Sequence, residues 1–375
     1  MSEWQNTTLG DVITLHYGKA LKTQNRIVGN IPVYSSAGIT GYHNEPLVMS
    51  KGIIIGRKGT VGKVYYSPEP FWCIDTAYYV LPNETKYDFI WLYYQLGTIG
   101  LEELNEDSAV PGLNRTTAYS QDILIPSIAE QKAIVSVLSS LDNKIDLLHR
   151  QNKTLESMAE TLFRQWFVEE AQDDWEEVNV LNIFSLVGGG TPKTSVDEYW
   201  NGNIPWISGG DISQSHKGFI SKTEKSITEL GLKNSSTKLL PKLSTIISAR
   251  GTVGKYALLE QEMCFSQSNY GIIPKGHNCY YFVYLLIGFI VDELLAAAYG
   301  SVFDTITTRT FESVDLKLPE MTVIANFEKT VIEFFKKKES NTKQIQTLEN
   351  FRDTLLPKLM SGEVRVNYTP EEIKQ

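Results

Sequence analysis

The stretch AIVSVLSSLDNKIDLLHRQNKTLESMAETLFRQW, residues 133–166, determines how the rest of the chain is interpreted. Its apolar residues recur at alternating intervals of four and three without an internal glycine or proline, which predicts a long helix with coiled-coil spacing. The stripe consists of Ile134, Leu138, Leu141, Ile145, Leu148, Asn152, Leu155, Ala159, Leu162 and Trp166. About 40 residues that each rise 1.5 Å make a helix of roughly 60 Å.

The start of this helix has a signal of its own. Ser127 stands three residues before Glu130, which is the spacing of a capping box. We expect the Ser127 hydroxyl to accept a hydrogen bond from the Glu130 amide, and the Glu130 carboxylate to accept one from the Ser127 amide.

A second stripe of the same spacing lies 193 residues further along the chain. It consists of Phe327, Val331, Phe334, Lys338, Asn341, Ile345, Leu348, Arg352, Leu355 and Leu359. Its polar members are typical of residues that fix helix register or partner choice. Because a whole mixed domain separates the stripes, we predict that the two helices pair antiparallel about a pseudo-twofold axis. A helical hairpin within one globular domain is the alternative.

The segments that precede each stripe also occur twice. WQNTTLGDVITL begins at Trp4 and WEEVNVLNIFSL at Trp175, and GTVGK occurs at residues 59–63 and again at 251–255. The offset between the copies is 171 to 173 residues before Asp211 and 192 to 193 residues after Arg250. This rise predicts one insertion in the second copy, around residues 214–242.

Each copy combines strand patterns with helical patterns. Short β-branched runs at residues 51–56 and 243–248 predict strands, and residues 88–96 and 281–298 have helical patterns. We predict an α+β fold in which two similar mixed domains are separated by two long helices that form an antiparallel coiled coil, with a pseudo-twofold internal repeat. The predicted segments are residues 1–126, the first mixed domain; 127–170, the first long helix; 171–319, the second mixed domain; 320–362, the second long helix; and 363–375, a C-terminal tail.

The composition is that of an ordinary globular protein, with 42% hydrophobic and 21% charged residues among 375. Three cysteines are too few for a disulfide framework, and the N-terminal residues lack a signal-peptide pattern. The most apolar run, residues 280–298, contains Asp292 and Glu293, which favours a buried helix over a membrane span. We expect a cytoplasmic protein with no membrane partner.

Common enzyme signatures are missing from the sequence. The turn at residues 56–64 lacks both the first glycine and the final hydroxyl residue of a phosphate-binding P-loop. The sequence contains no GxGxxG, HExxH or GxSxG motif, and its five histidines have no regular spacing. We therefore predict no catalytic residue and no metal ligand in this chain.

A basic, hydroxyl-bearing turn recurs in the two mixed domains. Arginine, threonine and lysine are usual donors to phosphate oxygens, and glycines let a backbone approach a neighbour closely. The candidate DNA-binding residues here are Arg57, Lys58, Thr60 and Lys63 in the first copy and Arg250, Thr252 and Lys255 in the second. A tight turn required only for folding is an equally weighted alternative.

Other loops in each mixed domain carry side chains suited to reading base edges. Arginine pairs with guanine and asparagine with adenine through bidentate hydrogen bonds. The candidates are Ser36, Thr40, Tyr42, Asn114 and Arg115 in the first domain and Ser208, Asp211, Thr308 and Arg309 in the second. Loop capping is the structural alternative for these residues.

This arrangement resembles the specificity subunit of type I restriction–modification enzymes. Residues 125–134, IPSIAEQKAI, are similar to the opening of that family's first conserved helix, and residues 355–366, LLPKLMSGEVRV, are similar to its closing helix and tail. The resemblance implies a non-catalytic subunit whose two target recognition domains each read half of a split site on double-stranded DNA. The helices would set the spacer and bind two methyltransferase subunits, with restriction subunits joining the assembly. S-adenosylmethionine, Mg and ATP would then be bound by those partners and not by this chain.

The net charge of −9 is the main argument against DNA binding. Residues 1–126, 127–170, 171–319 and 320–375 carry −3, −2, −4 and 0, so no segment is basic overall. A coiled-coil adaptor whose end domains bind peptides or proteins is therefore a second hypothesis, and a self-sufficient DNA methyltransferase is a third.

Overall fold

The protein is described from a computed structural model, which covers residues 4–82, 87–104, 112–276, 278–299 and 305–367. The chain divides into two units, one formed by Met1–Ile145 with Thr347–Gln375 and the other by Asp146–Gln346. Each unit therefore combines one mixed domain with segments of both long helices.

The described part of the first unit contains two mixed-domain sheets and a separate two-stranded sheet. Its strands are β1 (Gln5–Thr8), β2 (His16–Tyr17), β3 (Ile31–Ser35), β4 (Gly38–His43), β5 (Gly52–Gly56), β6 (Val64–Ser67), β7 (Trp72–Cys73), β8 (Ala77–Val80) and β9 (Asp122–Ile125). Its helices are α1 (Leu9–Val12), α2 (Phe89–Leu96), α3 (Arg115–Tyr119) and the first part of α4 (Ile128–Arg164). One sheet has the order β2-β8-β5-β6, the other has the order β4-β3-β7, and β1 pairs antiparallel with β9.

The second unit repeats this plan. Its strands are β10 (Glu176–Asn179), β11 (Phe184–Gly188), β12 (Trp200–Ile207), β13 (Phe219–Ile220), β14 (Lys225–Ile227), β15 (Thr245–Ser248), β16 (Tyr256–Leu259), β17 (Cys264–Phe265), β18 (Asn269–Pro274) and β19 (Asp315–Leu318). Its helices are α5 (Val180–Ile183), α6 (Gly209–Gln214), α7 (Glu229–Lys233), α8 (Tyr280–Tyr299), α9 (Thr308–Glu312) and α10 (Met321–Ser361), of which α10 also continues into the first unit.

The two sheets of the second unit have the same strand order as those of the first, with one addition. The orders are β11-β18-β15-β16-β13 and β14-β12-β17, and β10 pairs antiparallel with β19. The extra strand β13 pairs parallel with β16 at the edge of the larger sheet. The structure thus confirms the mixed helix-and-sheet class that the sequence predicts for both copies.

The additional residues of the second copy are divided between two places, so the prediction of one insertion at residues 214–242 was wrong. His43 of β4 pairs with Ile31 in the first unit, and Ile227 of β14 pairs with the matching Ile204 in the second. His43 and Ile227 are therefore counterparts, and the offset between β4 and β14 is 184 residues. The offset is 173 residues at the preceding strand and 192 at the glycine turn that follows. The first insertion contains α6 and β13, whereas the second contains α7.

Residues 280–298 lie within the apolar helix α8, the one described helix that is long and apolar enough to span a membrane. Phe282, Val283 and Leu286 are among its buried residues, and they belong to the main core of the second unit. The N-terminus of α8 is held by Glu328 of α10, whose carboxylate accepts hydrogen bonds from the Tyr281 amide at 3.0 Å and the Phe282 amide at 2.8 Å. Burial raises the pKa of this carboxyl group to about 7.

In the first unit, the segments of α4 and α10 pack together beneath the mixed domain. Ile134 and Leu138 of α4 share a core with Leu359 and Met360 of α10. Arg352 of α10 lies 2.9 Å from the Asp142 carboxylate of α4. Tyr94 of α2 donates a hydrogen bond to the same carboxylate at 2.5 Å. The mixed domain is thereby attached to both helices through one acidic residue.

The predicted capping box at the start of α4 is only half formed. The Glu130 amide donates to the Ser127 hydroxyl at 3.3 Å, as expected. The Glu130 carboxylate instead accepts from the Trp4 indole at 3.0 Å and pairs with the Arg365 guanidinium. A buried carboxylate gains more from a charged partner than from one backbone amide, which explains the difference. Glu130 therefore binds the residues near both ends of the described chain.

In the second unit, the helix segments are joined by a buried polar network. Lys338 of α10, which is 5% exposed, pairs with Glu156 of α4, which is 7% exposed. Glu156 also accepts a hydrogen bond from the Tyr284 hydroxyl of α8 at 2.7 Å. Three residues further along α10, the side-chain amide of Asn341 donates a hydrogen bond to the side-chain oxygen of Asn152 at 2.9 Å. Of the polar residues predicted in the stripes, Asn152 and Asn341 are therefore paired with each other, whereas Lys338 pairs with Glu156, which lies outside both stripes.

Candidate nucleic-acid interface

The recurring turn in each mixed domain, here called the glycine turn (residues 56–63 and 248–255), follows the buried central strands β5 and β15. The last two glycines of the first turn and both glycines of the second have positive φ values, which only glycine adopts readily. These values are 81° at Gly59, 74° at Gly62, 78° at Gly251 and 82° at Gly254. A Cβ atom on Gly62 would lie 2.3 Å from the backbone of Leu101. The glycines are thus required by the local fold, whatever the turn binds.

The two glycine turns share a set of backbone hydrogen bonds when residue numbers are shifted by 192. In both turns the amide of the first residue donates to the carbonyl of the last residue. The amides of the second and third residues both donate to one carbonyl that lies outside the turn. The matched pairs are Gly56 to Lys63 and Ser248 to Lys255; Arg57 to Thr76 and Ala249 to Ser268; and Lys58 to Thr76 and Arg250 to Ser268. Arg250 is therefore the structural counterpart of Lys58, and the counterpart of Arg57 is the buried Ala249.

The predicted phosphate-contacting side chains of both turns are presented to solvent. Lys58, Thr60 and Lys63 are exposed in the first unit, and Arg250, Thr252 and Lys255 are exposed in the second. Arg57 is half-buried, and its guanidinium donates to the Asp75 carbonyl at 3.2 Å. Each turn therefore carries exposed cationic and hydroxyl donors on a rigid backbone, which is the chemistry expected for contacts with DNA phosphates.

The segment that follows the matched Ile-Pro strand lies against the glycine turn in both units. In the first unit, Ser36 is buried, and its amide donates to the Thr76 hydroxyl at 3.3 Å. Its hydroxyl lies 3.4 Å from the position that a Cβ atom on Gly59 would occupy. In the second unit, Thr252 of the turn accepts a hydrogen bond from Ser213 of α6 at 2.8 Å.

Thr40 and Tyr42 lie on β4, beyond the loop that contains Ser36. Both side chains are exposed, and Tyr42 is opposite Pro32 in the ladder. The Thr40 hydroxyl donates to the Val33 carbonyl at 3.3 Å, and the Thr40 carbonyl accepts from Arg26 at 2.6 Å. Both remain candidates for DNA contact on an exposed strand.

Ser208 and Asp211 form the capping box of α6. The Asp211 carboxylate is buried, and it accepts from the Ser208 amide at 2.8 Å and from the Glu224 amide at 3.0 Å. The Ser208 hydroxyl also donates to it at 2.7 Å. These bonds hold the first inserted segment against β12, so the structure gives this pair a capping role and leaves its predicted contact with DNA untested.

The remaining candidates lie at the starts of the short helices α3 and α9. Asn114 is the N-cap of α3 and accepts from the Thr116 amide at 2.8 Å. Thr307 is the N-cap of α9, so Thr308 is the counterpart of Arg115, and Arg309 lies one position later. The two arginines are therefore about 100° apart around their respective helices. Both are exposed.

Backbone hydrogen bonds bring these helix starts to the glycine turns. The Leu113 amide donates to the Arg57 carbonyl at 2.8 Å, and the Ile306 amide donates to the Ala249 carbonyl at 3.1 Å. Each mixed domain thus gathers the loop after its Ile-Pro strand, its glycine turn and its helix start into one region. The sequence identified these three segments separately, and the structure places them together in both units.

Tyr17 is a member of this region that the sequence analysis missed. Its ring lies 4.9 Å from the Arg57 guanidinium and 5.2 Å from the Arg115 guanidinium, measured from ring centroid to Cζ. The ring is 50% exposed. The sequence holds no signal for Tyr17, because it lies on a two-residue strand and belongs to no motif.

Two titratable side chains near the second glycine turn, His216 and Tyr256, have shifted pKa values. Burial, followed by the charge of Lys255, lowers the pKa of His216 below its ordinary value of 6.5. Burial raises the pKa of the adjacent Tyr256 well above 10. Among the residues that the structure describes, no three or more histidine, cysteine, aspartate or glutamate side chains are grouped as metal ligands would be.

A family model described as the type I restriction modification DNA specificity domain matches residues 1–157 and 172–350. The chain belongs to this family. Both mixed domains and most of both long helices lie within the matched residues, so the specificity-domain match covers each copy of the repeat.

Relatives in the type I specificity family cover most of the chain. The MjaIX specificity subunit of Methanocaldococcus jannaschii is 25% identical over 344 residues, which are 85% of this chain and 79% of the relative. The HindI specificity subunit of Haemophilus influenzae is 23% identical over 332 residues, which are 68% of this chain and 71% of the relative. The crystal structure of a type I S subunit from M. genitalium has a TM-score of 0.61 and 16% identity over 95% of this chain and 96% of that one. The type I specificity family therefore shares its fold with this chain over nearly its whole length.

Proposed function

We propose that this chain is the DNA specificity subunit of a type I restriction–modification enzyme and has no catalytic centre of its own. Each mixed domain is a target recognition domain that reads one half of a bipartite site. The observation that carries this proposal is the repeated site, in which two glycine turns with the same hydrogen bonds present exposed lysine, arginine and threonine side chains. Two similar recognition domains in one chain are suited to binding two short half-sites.

The finer architecture is part of the same proposal. Contacts between the helices join residue 142 to 352 in the first unit, and 152 to 341 and 156 to 338 in the second. Residue numbers rise on α4 as they fall on α10, which supports an antiparallel coiled coil with a pseudo-twofold repeat. We assign the target recognition domains to residues 1–126 and 171–319, the coiled-coil helices to 127–170 and 320–362, and the tail to 363–375, of which residues 368–375 lie outside the described part.

The partners and cofactors follow from the subunit role. The coiled coil sets the spacer between the half-sites and binds two methyltransferase subunits, and restriction subunits complete the enzyme. S-adenosylmethionine, Mg and ATP bind to those partners, in the cytoplasm where the DNA is. Because every segment is acidic or neutral, the isolated chain should bind double-stranded DNA weakly and with strong salt dependence.

The adaptor hypothesis is favoured only by the acidic charge. A selection experiment separates it from the specificity-subunit proposal: the assembled complex with its methyltransferase subunits is mixed with duplexes of random sequence, and bound duplexes are recovered by gel shift. We expect enrichment of two short sequences at a fixed spacing. Recovery of duplexes with no common bipartite sequence would favour an adaptor.

A further inference from the structure

The first mixed domain holds an arginine–tyrosine cluster, formed by Tyr17, Arg57 and Arg115, at the edge of its glycine turn. The Arg57 and Arg115 guanidinium groups both lie about 5 Å from the Tyr17 ring centroid, at 4.9 and 5.2 Å. A cation in this position is attracted by the electron-rich face of the ring, and arginine also stacks on it through its flat guanidinium group. Two cations are thus held beside one exposed ring in a domain whose net charge is −3.

The members of the cluster differ in how firmly they are fixed. Tyr17 pairs with Tyr78 of β8 in the sheet, and Arg57 donates to the Asp75 carbonyl at 3.2 Å and lies 5.6 Å from the Tyr78 ring. Arg115 is exposed and contacts the rings of Tyr17 and Tyr119, the latter at 6.0 Å. Arg57 and Tyr17 are therefore tied to the backbone of the sheet region, and Arg115 is an exposed member whose guanidinium contacts only aromatic rings among the contacts that the structure describes.

The second mixed domain lacks all three members at the equivalent positions. Gly188 pairs with Tyr270 as Tyr17 pairs with Tyr78, so a glycine replaces the tyrosine. Ala249 replaces Arg57 in the glycine turn, and Thr308 replaces Arg115 at the helix start. The two copies have the same backbone arrangement at these three positions but carry different side chains. A structural role common to both copies would have kept the same residues.

We propose that Arg115, positioned by Tyr17 and Arg57, binds a guanine in the half-site read by the first domain. This inference rests on the proposed function. A guanidinium held beside the rings of Tyr17 and Tyr119 has its fork of donors restricted in direction. Such a fork matches the O6 and N7 acceptors of guanine. A phosphate contact needs charge but no such fixed direction. The second domain reads its half-site with a different set of side chains.

The test uses the complex of the full chain with its methyltransferase subunits and duplex libraries in which one half-site is randomised at a time. Arg115→Ala should lose the preference for guanine at one position of the first half-site by about 5- to 150-fold and leave the second half-site unchanged. Arg115→Lys should also lose it, because an ammonium keeps the charge but not the fork. Lys22→Ala, which removes an exposed cation from the same domain, is the matched control and should select the wild-type sequence.

The positioning role of Tyr17 has a separate readout. Tyr17→Phe keeps the ring and should select the wild-type sequence, whereas Tyr17→Ala should weaken the preference at the same position as Arg115→Ala. The inference would be overturned if Arg115→Ala weakened binding to every duplex equally, or if the complex with Arg115→Ala still selected the wild-type first half-site. A wild-type complex that selects no bipartite sequence would instead contradict the proposed function itself.

Discussion

Lys338→Ala is expected to lower the free energy of unfolding of the second unit by about 3–5 kcal/mol. The Lys338 ammonium pairs with the Glu156 carboxylate and donates to the Lys217 carbonyl at 2.5 Å, and both side chains of the ion pair are less than a tenth exposed. Without Lys338, the carboxylate keeps its hydrogen bond from Tyr284, and no other cation is paired with it among the residues that the structure describes. A buried and uncompensated charge is among the most destabilising defects that one substitution can make.

Calorimetry of the full chain gives the measurement, with an expected fall of about 6–20 °C in the transition of the second unit. Lys336→Ala is the matched control two residues away. Lys336 pairs with Glu333, and both side chains are more than half exposed, so its loss should cost less than about 1 kcal/mol. The triple variant Lys338→Met, Glu156→Leu, Tyr284→Phe replaces the whole network with apolar groups and should recover most of the loss. Equal melting temperatures for Lys338→Ala and wild type would show that the pair is not buried as described.

Lengthening both helices by four residues should increase the spacer between the half-sites by one or two base pairs and leave both half-sites unchanged. Four helical residues add about 6 Å, and one base pair spans about 3.4 Å of DNA. The insertions belong after Ile145 and after Gln346, where the chain passes between its two units. These sites lie between the Asp142–Arg352 contact of the first unit and the Asn152–Asn341 contact of the second, so both contacts are kept.

The spacer is measured by selecting duplexes that carry the wild-type half-sites separated by random spacers of varied length. A variant with the insertion after Ile145 alone is the comparison. When only α4 is lengthened, the contacts between α4 and α10 must break in one of the two units, so the free energy of unfolding should fall. A four-residue insertion changes the heptad phase as a stutter does, which local unwinding of a coiled coil accommodates. An unchanged spacer in the double insertion, or altered half-sites, would contradict a role of the helices in setting the spacing.

The periodic features were predictable from the sequence because periodicity depends on local spacing alone. All ten residues of each predicted stripe are buried or partly buried, including the polar Lys338 and Asn341. Their partners were not predictable: the pairing of Lys338 with Glu156 crosses 182 residues, and Glu156 lies outside the predicted stripe. Phe335 is likewise buried beside the predicted Phe334, because a straight helix repeats every 3.6 residues and drifts from a strict heptad.

The candidate site was predictable in its parts but not in its assembly. The repetition of GTVGK indicates a turn common to both domains, and the positive φ values explain why the turn contains glycines. The helix-start segments looked alike in the sequence, but the N-caps show that Arg115 and Arg309 are one position out of register. Tyr17 contacts residues 40 and 98 positions away, and no local pattern in a sequence encodes such contacts.

Methylome sequencing of a host with and without this chain, in the presence of its methyltransferase partner, tests the account most directly. One bipartite motif, two short half-sites at a fixed spacing, should be methylated only when the chain is present. Identical methylomes in the two hosts, or gain of a single continuous motif, would contradict it.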